Sequence, residues 1–183
     1  MIRLLDVVLS ITGLVVGLPL MVVIACVGLI DTGSPFFRQV RVGRDGKPFV
    51  LIKFRTMSRN TESVASHLVA SSAVTPFGHF LRRSKLDELP QLWNVLKGEM
   101  SLVGPRPCLF SQQQLIDERE RWGVLRARPG ITGLAQINNI DMSTPFVLAK
   151  TDAEMLESLS LKSYLKYIFL TALGKGAGDR VRR

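Results

Sequence analysis

The stretch Arg82-Arg83-Ser84-Lys85-Leu86-Asp87-Glu88-Leu89-Pro90-Gln91 sets two adjacent carboxylates among three cations. Ser84 followed three residues later by Asp87 fits a capping box, whereas Pro90 favours a helix that starts at about residue 89 or 90. On either reading Asp87 and Glu88 lie near a helix N-terminus, where backbone N–H groups and the dipole favour negative charge. Arg82, Arg83 and Lys85 lower carboxylate pKa values and attract phosphate. Two loops stiffened by Pro and Gly follow, Gly104-Pro105-Arg106-Pro107 and Arg128-Pro129-Gly130, and each carries an arginine suited to bidentate phosphate binding. Arg119, Arg121 and Arg126 read instead as surface ion-pair residues. An Asp-Glu pair beside such arginines points to phosphoryl chemistry with a divalent cation, for which carboxylate oxygens and substrate phosphates suit Mg²⁺. A carboxylate is also a competent nucleophile that forms an acyl phosphate.

Competing chemistries lack their residues. There is no P-loop, no Gly-x-Gly-x-x-Gly and no Gly-x-Ser-x-Gly elbow. His67 and His79 have neither helical His-x-x-x-His spacing nor partner cysteines, so they read as polar or capping residues rather than zinc ligands. Two cysteines cannot build a disulfide framework.

The elements that position these residues begin with an apolar run. The 183-residue chain carries 24 Lys+Arg against 15 Asp+Glu, a net +9, yet its mean hydropathy is +0.22. The conflict resolves because Val7 to Ile30 holds no charged side chain across 24 residues. As a helix it reaches about 36 Å, enough for a hydrocarbon core of about 30 Å. The run is too long for the core of a secretory signal, and Val23-Ile24-Ala25-Cys26 resembles a lipobox without fitting a cytoplasmic phosphoryl chemistry. It reads as a membrane-embedded helix, spanning or re-entrant, with Pro19 as its break or kink. Seven cations against Asp45 across residues 38–59, a net +6, place the following domain on the cytoplasmic face and against anionic headgroups.

Residues 1–33 are thus read as the membrane helix, 34–173 as an interfacial catalytic domain and 174–183 as a basic flexible tail. Within the domain, 34–57 predicts a β-hairpin around Gly43-Arg44-Asp45-Gly46, and 58–76 a polar loop with at most a short helix. Leu86, Leu89, Leu92, Trp93 and Leu96 predict a helix stopped by Gly98, and Phe110 to Val124 a second one. A single C-terminal helix is expected over about Glu154 to Leu173, either interfacial or core-facing. The fold class is a small, mostly helical α/β domain. The non-enzyme alternative is a membrane-anchored polyanion-binding or adaptor protein; 7% aromatics and no stacking motif argue against nucleic acid.

Seven segments together resemble the bacterial sugar transferases, the monotopic phosphoglycosyl transferases: Ser34-Pro35-Phe36-Phe37-Arg38-Gln39, Val42-Gly43-Arg44-Asp45-Gly46-Lys47-Pro48-Phe49, Lys53-Phe54-Arg55-Thr56-Met57, Leu81-Arg82-Arg83-Ser84, Leu86-Asp87-Glu88-Leu89-Pro90-Gln91-Leu92-Trp93-Asn94-Val95-Leu96, Met100-Ser101-Leu102-Val103-Gly104-Pro105-Arg106-Pro107, and Pro129-Gly130-Ile131-Thr132-Gly133-Leu134-Ala135-Gln136-Ile137. The resemblance implies a re-entrant helix with both ends cytoplasmic, at the bacterial inner membrane. It implies transfer of a sugar 1-phosphate from a UDP-sugar, N-acetylated sugars included, to polyprenol (undecaprenyl) phosphate. The products would be polyprenyl-diphosphate-sugar and UMP, the first membrane step of exopolysaccharide, O-antigen or glycoprotein assembly, with a homodimer as candidate assembly. Asp87 would be the nucleophile that carries the phosphosugar, and Glu88, with Asp87, would hold Mg²⁺. Arg82 and Arg106 match family arginines near the phosphates; Arg55, Gln91, Arg128 and Asp152 are further substrate-contact candidates. The chain departs from the family at Leu18-Pro19, where some members have Ser-Pro, at Asn138-Asn139-Ile140 in place of an Asn-Gly-Arg-like turn, and around Asp152, which lacks its usual following aromatics.

Overall fold

The computed structural model describes residues 1–59, 61 and 73–176. Most of the 58–76 connection, His67 and the tail from 177 onward lie outside the described residues. Helix α1 (Ile2–Thr32) runs through Pro19 and stops where Gly33 takes φ 71, its N–H bonded to Leu29 O. Strands β1 (Phe36–Val42) and β2 (Pro48–Phe54) form the antiparallel hairpin, in register from Phe36↔Phe54 to Val42↔Pro48. Helix α2 (Pro76–Ser84) starts with Thr75 accepting from Gly78 N at 2.9 Å and Pro76 in the first turn. A 3-10 turn (Leu86–Glu88) leads to α3 (Gln91–Lys97), which Gly98 ends at φ 83. Strands β3 (Ser101–Val103) and β4 (Gly130–Thr132) pair in parallel, an element the sequence shows only as two Pro/Gly loops. Their approach demands glycine: a Cβ on Gly130 would lie 2.0 Å from Gly104 N. Helices α4 (Gln113–Arg121), α5 (Leu134–Ile137), α6 (Pro145–Glu157) and α7 (Leu161–Ala172) complete the domain.

Two expectations change. The single C-terminal helix is two, because Ser160 and Ser163 form a reciprocal capping box that starts α7 afresh after Ser158 and Leu159. Ser84 caps nothing downstream; it closes α2, and its hydroxyl donates back to Phe80 O and Leu81 O. The departure at Asn139 has a physical account: the residue takes φ 60, and asparagine tolerates the left-handed region that glycine otherwise fills.

Helix α1 is long and apolar enough to cross a bilayer, but both its ends rest on the domain. Its buried residues are Asp6 and Ser10 near one end and Ile24 and Gly28 near the other, one stripe at helical spacing. Between them no residue is buried, and Val15, Val16, Leu18 and Leu20 are exposed. At the far end Ile24 packs on Phe54 and Leu81. At the near end Asp6 Oδ1 accepts from Ser101 Oγ (2.9 Å), Leu102 N (2.8 Å) and Tyr164 OH (2.7 Å). Arg3 donates to Val95 O (2.7 Å) and Leu96 O (3.0 Å), closing the C-terminal carbonyls of α3. One carboxylate therefore ties α1 to β3 and α7. Burial and this bond push the Tyr164 hydroxyl well above the usual tyrosine range.

Helices α4 and α6 are joined by a buried ion pair: Arg119 Nη2 and Nε donate to Asp152 Oδ2 at 2.7 and 3.2 Å. This corrects two expectations. Arg119 is no surface ion-pair residue, and Asp152 lies inside the domain, where it neutralises Arg119 instead of facing a sugar. Burial raises the Asp152 carboxyl pKa, and Arg119 opposes the shift.

Asp6→Ala strands three donors and is expected to cost about 3 kcal/mol, with Asp6→Asn recovering part; thermal unfolding in detergent measures it, and an unchanged midpoint would refute the anchoring role. Arg119→Met leaves a buried carboxylate without its cation and should cost about 3–5 kcal/mol. Adding Asp152→Leu should restore part of that loss; denaturant titration of both variants checks the coupling.

Candidate active site

Asp87 and Glu88 sit on a turn made by a left-handed lysine. Lys85 takes φ 58 after α2, with its N–H bonded to Arg82 O and Leu81 O, and the chain reverses into the 3-10 turn. Leu86 and Leu89 then pack on the Ile24, Phe54 and Leu81 cluster. Anchoring the turn on both flanks sets its two acidic side chains inward: Asp87 is 4% and Glu88 8% exposed. The pair thus lies before α3, not inside its first turn.

The position of α3 against the hairpin comes from Asn94. Its amide donates to Val50 O (2.7 Å) and Glu99 Oε2 (2.7 Å), and its carbonyl accepts from Ile52 N (3.1 Å). This buried asparagine carries no catalytic signal in the sequence; a polar residue among the leucines of a helix is the cue to it.

The hairpin turns polar residues inward. Gln39, Arg41 and Lys53 are buried, whereas Val40 and Val50 are exposed. Arg41, Leu51, Lys53, Gln91, Arg106, Pro107 and Gly130 line one small cavity. Arg41 and Lys53 were missed as site residues by reasoning from charge alone, because seven cations in 38–59 look alike in sequence; the alternation of the strand separates them from Arg38, which faces outward.

Arg106 joins this cavity to the carboxylates, since its Nη2 donates to Glu88 Oε1 at 2.8 Å. The loop that presents it is held twice from behind. Arg119 Nη1 donates to Arg106 O (2.8 Å), and Arg41 Nη1 donates to Pro107 O (3.1 Å). Three cations, Arg41, Lys53 and Arg106, therefore line a small space that Arg106 links to the buried Glu88. Such a cation-rich lining attracts anionic groups such as phosphate oxygens.

The other sequence-derived candidates are placed as follows. Gln91 is buried and lines the cavity. Arg82 donates from Nε to Thr56 Oγ1 at 2.9 Å, tying α2 to the chain after β2. Arg55 donates to Ser34 O (3.2 Å) and Phe36 O (3.3 Å) and stacks over the Phe37 ring; burial and the nearby Arg59 lower its pKa. Arg128 donates to Gly98 O at 2.9 Å, beyond the C-terminal end of α3. Neither Arg55, Arg128 nor Asp152 lines the cavity around Arg106. Among the described residues no three His, Cys, Asp or Glu side chains gather into a metal cluster. An Asp-Glu pair beside Arg106 nonetheless fits Mg²⁺, which takes one or two carboxylates and completes its shell with phosphate oxygens and water.

The chain is 35% identical over 191 residues to an undecaprenyl-phosphate galactose phosphotransferase of Salmonella typhimurium, matching 93% of this chain and 39% of that protein. It is 41% identical over 180 residues to a UDP-glucose:undecaprenyl-phosphate glucose-1-phosphate transferase of Klebsiella pneumoniae, matching 92% of this chain and 38% of the relative. The exopolysaccharide production protein ExoY of Sinorhizobium fredii is 35% identical over 184 residues, 91% of this chain and 81% of its own length. The chain thus spans well under half the length of the first two relatives. The family model described as bacterial sugar transferase matches residues 1–175, and the chain belongs to that family.

Proposed function

We propose that the protein transfers a sugar 1-phosphate from a UDP-sugar to undecaprenyl phosphate through a covalent intermediate on Asp87. The observation that carries this reading is the Glu88–Arg106 pair at 2.8 Å, which joins the buried Asp87-Glu88 turn to a cavity lined by Arg41, Lys53 and Arg106. The family and the names of its relatives support the substrates. In the first step an Asp87 oxygen attacks the β-phosphorus of the UDP-sugar. The bond from that phosphorus to the bridging oxygen breaks, and UMP departs with the electron pair. In the second step a phosphate oxygen of undecaprenyl phosphate attacks the same phosphorus, and the acyl phosphate bond breaks to restore the Asp87 carboxylate. Arg106, Lys53 and Arg41 hold the diphosphate oxygens and offset the charge that gathers on them. Glu88 orients Arg106 and, with Asp87, would hold Mg²⁺, which neutralises phosphate charge when bound.

This chemistry needs the lipid and the nucleotide at one surface. The apolar outer face of α1, with both ends seated on one domain and its exposed middle around Pro19, supports a re-entrant helix at the membrane. The basic stretch 38–59 supports a cytoplasmic face.

Asp87→Asn is expected to lower UMP release from UDP-sugars by about 10³-fold or more while the protein still folds and embeds; normal release would sink the covalent assignment. Glu88→Gln should lose much activity that added Mg²⁺ partly restores, and a loss insensitive to Mg²⁺ would count against its metal role. Single cysteines at Leu4 and at Ser34 should both react with a membrane-impermeant maleimide from the cytoplasmic side only. Labelling of one end from the opposite side would show a spanning helix.

A further inference from the structure

The chain stays packed on the domain past the end of α7. Gly174 takes φ 83 and places its N–H on Thr171 O at 3.0 Å, and Lys175 returns its N–H to Leu170 O at 2.9 Å. These two bonds make the Schellman closure, in which glycine is the favoured left-handed residue. Gly176, at φ 88, then lies against α5: a Cβ there would stand 2.5 Å from Gln136 O and 3.3 Å from Ile137 Cα. Backbone meets backbone at this point, and the absence of a side chain is what allows it. The last turn of α7 is itself tied to β4, where the Thr171 and Thr132 hydroxyls share a hydrogen bond.

Both halves of the candidate active site bear on these three residues. On one side the Lys85 ammonium donates to Lys175 O. Lys85 is the left-handed residue that turns the chain into Leu86–Glu88, and it stands two residues before Asp87. Burial lowers its pKa, Glu88 opposes the shift and Arg106 adds to it, so its charge is felt at the Glu88–Arg106 pair. On the other side, Gln136 donates from Nε2 to Gly104 O at 3.2 Å, at the head of the loop that presents Arg106. Gly176 packs on the backbone of that same glutamine. One short segment therefore touches the residue that sets the Asp87 turn and the residue that holds the Arg106 loop.

We propose that Gly174-Lys175-Gly176 is a positioning strap, which holds the Asp87-Glu88 turn through Lys85 and the Arg106 loop through Gln136 in the relative placement that transfer requires. The strap acts through other residues, because what it offers them is a backbone carbonyl and a close backbone approach. Alignment of a nucleophile with the phosphate it attacks tolerates little displacement, so a loosened strap slows the chemical step more than it weakens binding. The inference rests on the transferase reading above and adds to it that the end of α7 sets the geometry of the nucleophile.

The test compares, in nanodiscs, the full chain with one ending at Gly176 and one ending at Gly174. Ending at Gly176 should leave the single-turnover burst of UMP unchanged. Ending at Gly174 should slow that burst by about 10-fold or more and move the donor KM by less than about 2-fold. Gly176→Ala, which keeps every charge, should slow it likewise. Lys85→Met should reproduce the loss, Lys85→Arg should restore most of it, and Lys85→Met should add nothing in the chain ending at Gly174. Hydrogen–deuterium exchange gives a readout independent of turnover: in the chain ending at Gly174, peptides covering 86–89 and 104–106 should exchange faster, and those of β1 and β2 should not. A lower thermal midpoint with an unchanged burst would make the segment a stabiliser of the fold alone and overturn the proposal. Equal slowing by the chain ending at Gly176, or unchanged exchange at both site peptides, would overturn it as well. An unaltered protein that releases no UMP would sink the transferase reading, whereas faster exchange in the shortened chain would still leave the strap standing.

Discussion

Everything around the site follows from burying two adjacent carboxylates. Asp87 and Glu88 are almost sealed from solvent, and like charges so close are costly unless cations stand beside them. Arg106 supplies one at 2.8 Å from Glu88. That arginine is useful only if its loop does not yield, so the loop is held by further cations: Arg119 on the Arg106 carbonyl and Arg41 on the Pro107 carbonyl. Arg119 is itself buried and takes Asp152 as its counterion. The result is a connected set of buried charges from Asp152 and Arg119 at α4 and α6 out to Arg106 and Glu88. Each is tolerated only because a partner is present, so Asp152 supports the Arg106 loop from a distance.

The same logic shapes the hairpin. Its buried face is mixed: Phe49 and Leu51 join the core, Gln39, Arg41 and Lys53 are buried beside them, and Val40 and Val50 are exposed. Arg41 and Lys53 line the cavity beneath it. The outward valines join a wider pattern, in which α1 and α7 also leave Leu and Phe side chains exposed. In water this would be an aggregation liability, and beside a bilayer it is a favourable surface. Asp6 explains how so apolar a helix stays attached. Its carboxylate meets Ser101, Leu102 and Tyr164 in a region shielded from solvent, where charge-assisted bonds are strong.

Much of this was legible from residue order. The carboxylate pair, the arginine of Gly104-Pro105-Arg106-Pro107, the long apolar run and the hairpin all rest on local signals: spacing, Pro and Gly, and alternation. Local signals failed where the decision was long-range. The β3–β4 pair joins segments nearly thirty residues apart and shows in sequence only as two loops. Arg55, Arg106, Arg119 and Arg128 are equivalent as letters, yet the fold spends them on carbonyls at the start of β1, the Glu88 carboxylate, a buried aspartate and a helix end respectively. The break between α6 and α7 is hidden for a nearer reason: the apolar period continues through Ser160, and only the serine pair marks a new start.

The sequence by itself determined the chemistry on offer, because nucleophilic carboxylates, phosphate-binding arginines and an uncharged helix are properties of residue type and short spacing. Tertiary structure alone decided which arginine reaches which carboxylate, which hairpin side chains are buried, and that both ends of α1 rest on one domain. Those outcomes depend on desolvation and on pairings between distant segments. Charge balance in a buried space is a property of the assembled fold, and no single stretch of chain contains it.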